Sequence, residues 1–262
     1  MTTTTTLVAP IRKNTAGVHA RPGLGRLVAV ELRKMVDTRA GFWLQVAMVA
    51  LTVVVVVVRL LVGDAADHTF QSVLDVGLQP SAVLLPVLGI LLVTSEWSQR
   101  TGLITFALVP VRSRVLGAKL IASLLLAVAM LAISVAVVAA GVFVSSPGVE
   151  GTWSDAAPLI GQSAVNLTAG MVVGVALGAI LLAPAPAIVL LFALPMSWMA
   201  VLSLPVFSGV APWVDYARAL GQMTVEVMSP TQWAQAGTSL VIWMVLPLLI
   251  GARRITRYEV TA

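Results

Sequence analysis

The sequence contains little charge and no cysteine. Of its 262 residues, only 10% are Asp, Glu, Lys or Arg, whereas 59% are apolar. Soluble domains carry about 25% charged residues, so this chain has too few to cover a surface that faces water. The absence of cysteine excludes disulfides, iron–sulfur clusters and thiol nucleophiles. This composition indicates a protein that lies largely within a membrane.

Two patterns that would indicate other classes of protein are also missing. The chain has no series of ten-residue segments of alternating polarity, the pattern of a transmembrane β-barrel. It has no phosphate-binding loop of the form G-x-x-x-x-G-K-[ST], so it does not hydrolyse ATP by that route. The group Asp64, Asp67 and His68 is more typical of a solvated loop than of a metal or catalytic-triad site. We therefore expect neither enzymatic activity nor a cofactor in this chain.

Six apolar runs dominate the sequence. Each has about the 20 residues that a helix needs to cross about 30 Å of hydrocarbon. The runs cover residues 42–62, 76–94, 120–144, 159–182, 187–207 and 234–252. They predict an all-α, polytopic membrane protein with six transmembrane helices.

The basic residues are sorted between the two sides of the membrane. Seven precede the first span, four lie between residues 100 and 119, and three follow the last span, which places 14 of the 16 on one side. The other side receives Arg59 and Arg218. Cytoplasmic loops carry the excess of Lys and Arg, so we expect both termini and the 95–119 stretch in the cytoplasm. The net charge of +5 is therefore no indication of a nucleic-acid partner.

The chain before the first span divides into two segments. Residues 1–23 lack periodicity and are expected to form a disordered cytoplasmic arm. Residues 24–40 are predicted to form an amphipathic helix in the inner membrane interface, where it either docks a protein or simply anchors the chain. Its apolar stripe comprises Leu24, Leu27, Val28, Leu32, Met35 and Val36. Residues 41–262 then form the six-span domain.

The stretch between the second and third spans, residues 95–119, is longer than a simple re-entry loop requires. It reads SEWSQRTGLITFALVPVRSRVLGAK and combines an apolar segment with polar flanks. Pro110 has no amide to donate and is expected to end a helix there. The pattern predicts a structured cytoplasmic element at about 96–110.

Together with VELRKMVDTRAGFW, this stretch resembles the membrane subunit of an ATP-binding-cassette exporter of the type-2 permease family. Glu31 and Lys34 match the E-x-x-K motif of the interfacial helix in that family, and Arg33 lies between them. The residues that match its cytoplasmic pattern are Glu96, Thr101, Pro110, Arg114 and Lys119. The topology covers nearly the whole chain, and the motifs cover about 40 residues.

The resemblance implies that residues 96–110 form a coupling helix, which binds a separate ATP-binding-cassette ATPase. The residues expected to contact it are Glu96, Gln99, Arg100, Thr101, Leu103, Ile104, Phe106, Arg112 and Arg114. ATP and magnesium would be held by that partner. The other implied partners are a second permease subunit and membrane lipids, in a bacterial plasma membrane. The cargo expected is hydrophobic or amphiphilic, such as a drug, lipid or lipopeptide, because no charge lies deep in a span.

The fourth span contains a row of small residues. Gly170, Gly174 and Gly178 form two overlapping G-x-x-x-G motifs, which permit close approach of another helix. That helix is either a neighbouring span of the same chain or a second subunit. Gln162 and Asn166 extend the row and are either hydrogen-bond partners between helices or polar points on a translocation path.

The fifth span and the loop after it contain the remaining candidates. Pro195 is expected to kink the span, and Met196 and Met199 follow it as possible pathway residues. The family resemblance implies an outer re-entrant loop at residues 208–233. The alternatives to an exporter subunit are a non-transporting scaffold or sensor-associated protein that docks a partner through the same loop, and an intramembrane enzyme. The last is disfavoured, because no span carries a catalytic pair.

Overall fold

The computed structural model of the chain describes residues 23–62, 68–98, 111–146, 149 and 151–257. Within these ranges the regular structure is helical, without strands. All of the predicted arm except Gly23, and most of the coupling helix at 96–110, lie outside the described residues.

In the part of the chain that the structure describes, six helical segments are long and apolar enough to cross a membrane, the number that the sequence predicts. The first five are α2 (Arg39–Val62), α3 (Phe70–Ser98), α4 (Arg112–Ser145), α5 (Ala156–Leu181) and α6 (Pro184–Leu202). The sixth, Pro230–Thr256, consists of α9 (Pro230–Leu240), a π-helical turn (Val241–Val245) and the beginning of α10 (Leu246–Arg257). The other helices are α1 (Leu24–Asp37), α7 (Ala211–Val214) and α8 (Tyr216–Val225).

Five spans are longer than predicted and one is shorter, and α3 and α4 are the longest. Helix α3 has 29 residues and α4 has 34, which correspond to about 43 Å and 51 Å. Both exceed the hydrocarbon thickness of about 30 Å, so their ends project beyond it. Helix α6 ends at Leu202 rather than 207, where a short 3-10 helix at Pro205–Phe207 takes over. The polar ends of α3 and α4 continue the helices because their backbone hydrogen bonds do not depend on the apolar pattern.

Helices α3 and α5 form the centre of the bundle, and the other spans pack around them. The glycine row of α5 faces α3 of the same chain, which is the first of the two expected alternatives. A Cβ atom added at Gly174 would overlap the carbonyl group of Pro86, and one at Gly178 would lie 3.1 Å from the carbonyl oxygen of Ile90. The backbones therefore approach each other closely because the row has no side chains.

Helix α1 packs against the bundle through Val28, Glu31 and Met35, whereas Leu24 and Val36 are exposed. Val28 and Met35 belong to the predicted apolar stripe. Glu31 does not, and it is buried because its carboxylate pairs with Lys119 of α4. We name the end of the bundle that carries α1 and the start of α4 the lower end, and the other the upper end.

Helices α7 and α8 form a hairpin at the upper end, within the predicted re-entrant loop at 208–233. Asp215 caps α8, and its side chain accepts a hydrogen bond from the backbone N–H of Arg218. The buried face of α8 comprises Ala219, Leu220 and Met223, which pack against α5 and α9. The hairpin thus covers the upper ends of α5 and α9.

The glycine contact generates a prediction about packing. Gly174→Ala should lower the free energy of unfolding by about 1–3 kcal/mol, because the added methyl group has no space beside Pro86. Gly161→Ala on the same helix is the control, since its Cβ atom would meet no atom within 4 Å. Thermal unfolding in detergent measures both. Equal melting temperatures for the two variants would contradict this packing.

Candidate functional site

Four charged side chains from three helices meet at the lower end of the bundle. We name them the ionic cluster: Glu31 and Lys34 of α1, Glu96 of α3 and Lys119 of α4. Lys34 Nζ lies 2.8 Å from both Glu31 Oε1 and Glu96 Oε1. Lys119 Nζ lies 2.7 Å from Glu31 Oε2 and 3.1 Å from Glu96 Oε1. Each lysine therefore bridges both carboxylates, and the four charges sum to zero.

Three members of the ionic cluster are almost completely buried. Glu31, Glu96 and Lys119 are 4%, 5% and 3% exposed. Lys119 donates to Glu31, Glu96 and the carbonyl oxygen of Leu92, which uses all three N–H groups of its ammonium. A buried charge is tolerated only when it is paired and hydrogen-bonded. The cluster is thus satisfied as a unit, and loss of one member leaves another charge uncompensated.

Lys34 is the member that faces outward, with its side chain 36% exposed. Burial lowers the pKa of Lys34, but hydrogen bonds to Glu31 and Glu96 and the charges of both carboxylates outweigh burial and raise its pKa above the ordinary value. Lys34 therefore stays protonated at neutral pH.

The ionic cluster connects the end of α3, the beginning of α4 and helix α1. Glu96 lies near the last residue of α3, and Lys119 lies in the second turn of α4. These two helix ends flank residues 99–110. Glu31 and Lys34 tie α1 to both ends at once. The cluster therefore joins the two sides of the 99–110 segment and the helix before the first span.

Two arginines bind helix C-termini at the same lower end. Arg112 Nη1 donates to the carbonyl oxygen of Ile255 in α10 at 3.1 Å, and Arg254 donates to the carbonyl oxygen of Ile180 in α5. The last carbonyl groups of a helix have no helical donor and lie at its negative end, where a cation is favourable. These contacts join α10 to α4 and α5.

The predicted coupling residues fall into two groups. Gln99, Arg100, Thr101, Leu103, Ile104 and Phe106 lie outside the described residues. Of the others, Glu96 was predicted as a polar contact for a partner, but its carboxylate is buried between two lysines. Arg112 was predicted likewise and binds Ile255 within the chain. Glu96 and Arg112 therefore bind groups of the same chain, because the helices that carry those groups pack directly against α3 and α4. Arg114 is half-buried in the first turn of α4, and Arg33 is exposed on α1.

Gln162 and Asn166 hold the α7–α8 hairpin. Gln162 donates to the carbonyl oxygens of Met223 and Glu226 at 3.0 and 2.7 Å and accepts from the N–H of Met228 at 2.8 Å. Asn166 donates to the carbonyl oxygen of Leu220 at 3.2 Å. Three of these bonds are to backbone groups at or after the end of α8. Both side chains are therefore hydrogen-bond partners between helices, one of the two roles expected for them.

A pair of tryptophans holds the other side of the hairpin. The Nε1–H groups of Trp198 in α6 and Trp243 in the π-helical turn both donate to the carbonyl oxygen of Val214, at 3.2 and 2.8 Å. Their rings lie 5.6 Å apart at an interplanar angle of 70°. Val214 ends α7, so its carbonyl group has no helical donor. The hairpin is thus fixed to α5, α6 and the sixth span.

The possible pathway residues of α6 lie on two different sides of the helix. Met196 and Met199 are 68% and 55% exposed on the outside of the bundle. Pro195 instead lines a cavity between α3, α5, α6 and α8, together with Asn166. The predicted kink at Pro195 stays a prediction. No signal in the sequence could have separated these neighbours, because orientation on α6 depends on which face meets α3 and α5.

Comparisons with known proteins identify no family for the chain, since neither a protein-family model nor a curated protein matches it.

The ionic cluster generates a prediction about stability. Lys119→Met should lower the free energy of unfolding by about 3–5 kcal/mol, because it leaves two buried carboxylates with one lysine. The double variant Lys119→Met/Glu96→Gln should recover much of that loss, since one neutral pair remains. Thermal unfolding in detergent checks both.

Arg33→Gln is the control for this charge removal. Arg33 is exposed on the same helix as Glu31, so the variant should change stability by no more than about 0.5 kcal/mol. A double variant as unstable as Lys119→Met alone would show that charge balance is not what the cluster provides.

The anchoring of the hairpin generates a second prediction at this site. Gln162→Leu removes three hydrogen bonds and should increase amide hydrogen exchange in residues 216–228. Thr168→Val is the control, because Thr168 bonds only within α5, to the carbonyl oxygens of Ala164 and Val165. Unchanged exchange in Gln162→Leu would mean that Asn166 and the tryptophan pair hold the hairpin without Gln162.

Proposed function

We propose that the chain is the transmembrane subunit of an ATP-binding-cassette exporter, coupled to a separate ATPase subunit. The ionic cluster is the observation that carries this proposal. It ties both helix ends beside the 99–110 segment to α1 through contacts of 2.7–3.1 Å. A force applied to that segment therefore acts on α1, α3 and α4 together.

The ionic cluster at α1 fits transmission of force between helices better than simple anchoring of α1 to a membrane surface. An anchor at a membrane surface needs only an exposed polar face and a buried apolar face. Here α1 instead turns Glu31 inward to two lysines, and the buried charges cost free energy unless all are paired. A rigid, satisfied connection among three helices converts movement of one into movement of all. In our proposal the lower end faces the cytoplasm and the ATPase, as the distribution of basic residues favours.

The proposed cargo is hydrophobic or amphiphilic. Among the described residues that line the cavity between α3, α5, α6 and α8 none is charged, and its surface is mainly apolar. The hairpin covers the upper part of this region through Tyr216, Leu220 and Thr224. Export would then require movement of the hairpin, whose fixing points are Gln162, Asn166, Trp198 and Trp243.

The alternative is a non-transporting scaffold that docks a cytoplasmic partner. Such a protein needs the rigid lower end but has no need of a cavity beneath the hairpin. The cavity of about 310 Å³ favours the exporter.

Copurification with a candidate ATP-binding-cassette ATPase from the same organism tests the proposal. Arg100→Glu and Phe106→Asp should weaken binding of the ATPase by roughly 30-fold or more, which corresponds to about 2 kcal/mol or more for a buried contact. Arg253→Glu is the matched control, since Arg253 is exposed at the lower end outside the 99–110 segment. Normal copurification of both segment variants would exclude this segment as the docking site.

A second variant separates docking from transmission. Lys119→Met/Glu96→Gln leaves the 99–110 segment unaltered, so it should retain the ATPase yet lose stimulation of ATP turnover by substrate in liposomes. Wild-type protein that binds the ATPase without any substrate-stimulated turnover would instead support the scaffold.

A further inference from the structure

The volume and the lining of the cavity beneath the hairpin indicate what kind of ligand fits there. Its volume is about 310 Å³, at the small end of the range for ligand sites in proteins, about 300–1,000 Å³. Four helices contribute to it, including both central spans. Val83 and Phe192 line it and are also exposed on the outside of the bundle. The cavity is therefore accessible from the side, between α3 and α6.

The cavity exists because of glycine and proline. A Cβ atom at Gly170 would lie 3.4 Å from Pro86 Cγ and 3.9 Å from Tyr216 Oη, so a larger side chain there would enter the space between them. Pro86 and Pro195 both line the cavity. The small residue and the two prolines therefore keep open a space that ordinary helix packing would fill.

The prolines also supply hydrogen-bond acceptors. A proline inside a helix has no N–H, so the carbonyl group four residues earlier loses its regular helical donor. For Pro86 and Pro195 these carbonyl groups belong to Ala82 and Leu191, and both residues line the cavity. A hydroxyl group is the kind of ligand group that donates to such acceptors.

Polar groups lie only towards the upper end of the α3 face that borders the cavity. Asp75 accepts a hydrogen bond from Thr224 at 2.7 Å, and Gln79, one turn below Asp75, lines the cavity and is exposed. Val83 and Pro86 follow on the same face at helical spacing and are apolar. The polarity therefore falls from the upper end towards the middle of the bundle.

From this arrangement we infer that each chain holds a binding site for an uncharged single-chain amphiphile. Its alkyl chain lies against Val83, Pro86 and Phe192, and its hydroxyl-bearing head lies near Gln79. A charged head is disfavoured because the described residues that line the cavity carry no charge, and the nearest carboxylate, Asp75, already accepts a hydrogen bond from Thr224. The inference names where the exporter of our proposal would hold its cargo and rests on it to that extent, but binding itself does not require the ATPase.

Photolabelling of the full chain in vesicles, without the ATPase, tests this inference. The probe is an alkyne-tagged monoacylglycerol with a diazirine in its chain. We expect label on peptides of α3 and α6, and competition by monoolein but not by oleate, which is anionic. Equal competition by oleate would overturn the uncharged head, and label spread evenly over all spans would overturn the site.

Two variants localise the binding. Gly170→Leu fills the cavity and should reduce labelling about tenfold, which corresponds to about 1.4 kcal/mol of binding free energy. Gly161→Leu is the matched control on an open face of the same helix. Val83→Trp blocks the exposed side of the cavity and should give the same reduction if Gly170→Leu does not fold. Wild-type labelling of a folded Gly170→Leu or Val83→Trp protein would overturn the inference.

A second probe distinguishes a specific single-chain ligand from an ordinary bilayer lipid. A diazirine phosphatidylcholine of equal chain length carries a bulky charged head, so it should label the site much less than the monoacylglycerol. Stronger labelling by phosphatidylcholine would mean that an ordinary bilayer lipid fills the space, against the inference. Failure of ATPase coupling would leave these results unchanged, so the two proposals fail separately.

Discussion

The structure depends on one electrostatic constraint, the neutrality of the ionic cluster. Two glutamates and two lysines can lie at the lower end of an apolar bundle only because each ammonium group contacts both carboxylates. Burial of an unpaired charge there would cost several kcal/mol. Helices α1, α3 and α4 therefore have to meet in one arrangement, and the orientation of α1 follows from it.

The upper end is held in a different way. Backbone carbonyl groups of the α7–α8 hairpin accept hydrogen bonds from Gln162, Asn166, Trp198 and Trp243, all of which are neutral. A neutral hydrogen bond contributes about 0.5–1.5 kcal/mol, less than a bond to a charged group. The two ends thus differ in the contacts that hold them: buried ion pairs below, and neutral hydrogen bonds above a cavity. In the proposed exporter, force enters at the lower end and opens the upper one.

Much of the fold could be predicted from the sequence, because membrane spans are encoded by composition over about 20 residues. The six spans and the glycine row were recognisable in this way. The bounds of α3 and α4 were not, since helical hydrogen bonds continue into polar residues that an apolar pattern ignores. The burial of Glu31 in α1 was not predictable either, because periodicity counts Glu31 as polar and contains no information that Lys119, 88 positions later, pairs with it.

The sequence by itself determined that the chain forms six membrane-length helices and that α5 permits a close approach, because length, apolarity and glycine spacing are local properties. Only the tertiary structure decided that the partner of α5 is α3, that Glu96 is an internal ion-pair partner, and that Gln162 holds the upper hairpin. These outcomes depend on contacts between residues 23 to 88 positions apart. Such contacts are fixed by the packing of whole helices, which no short stretch of sequence specifies.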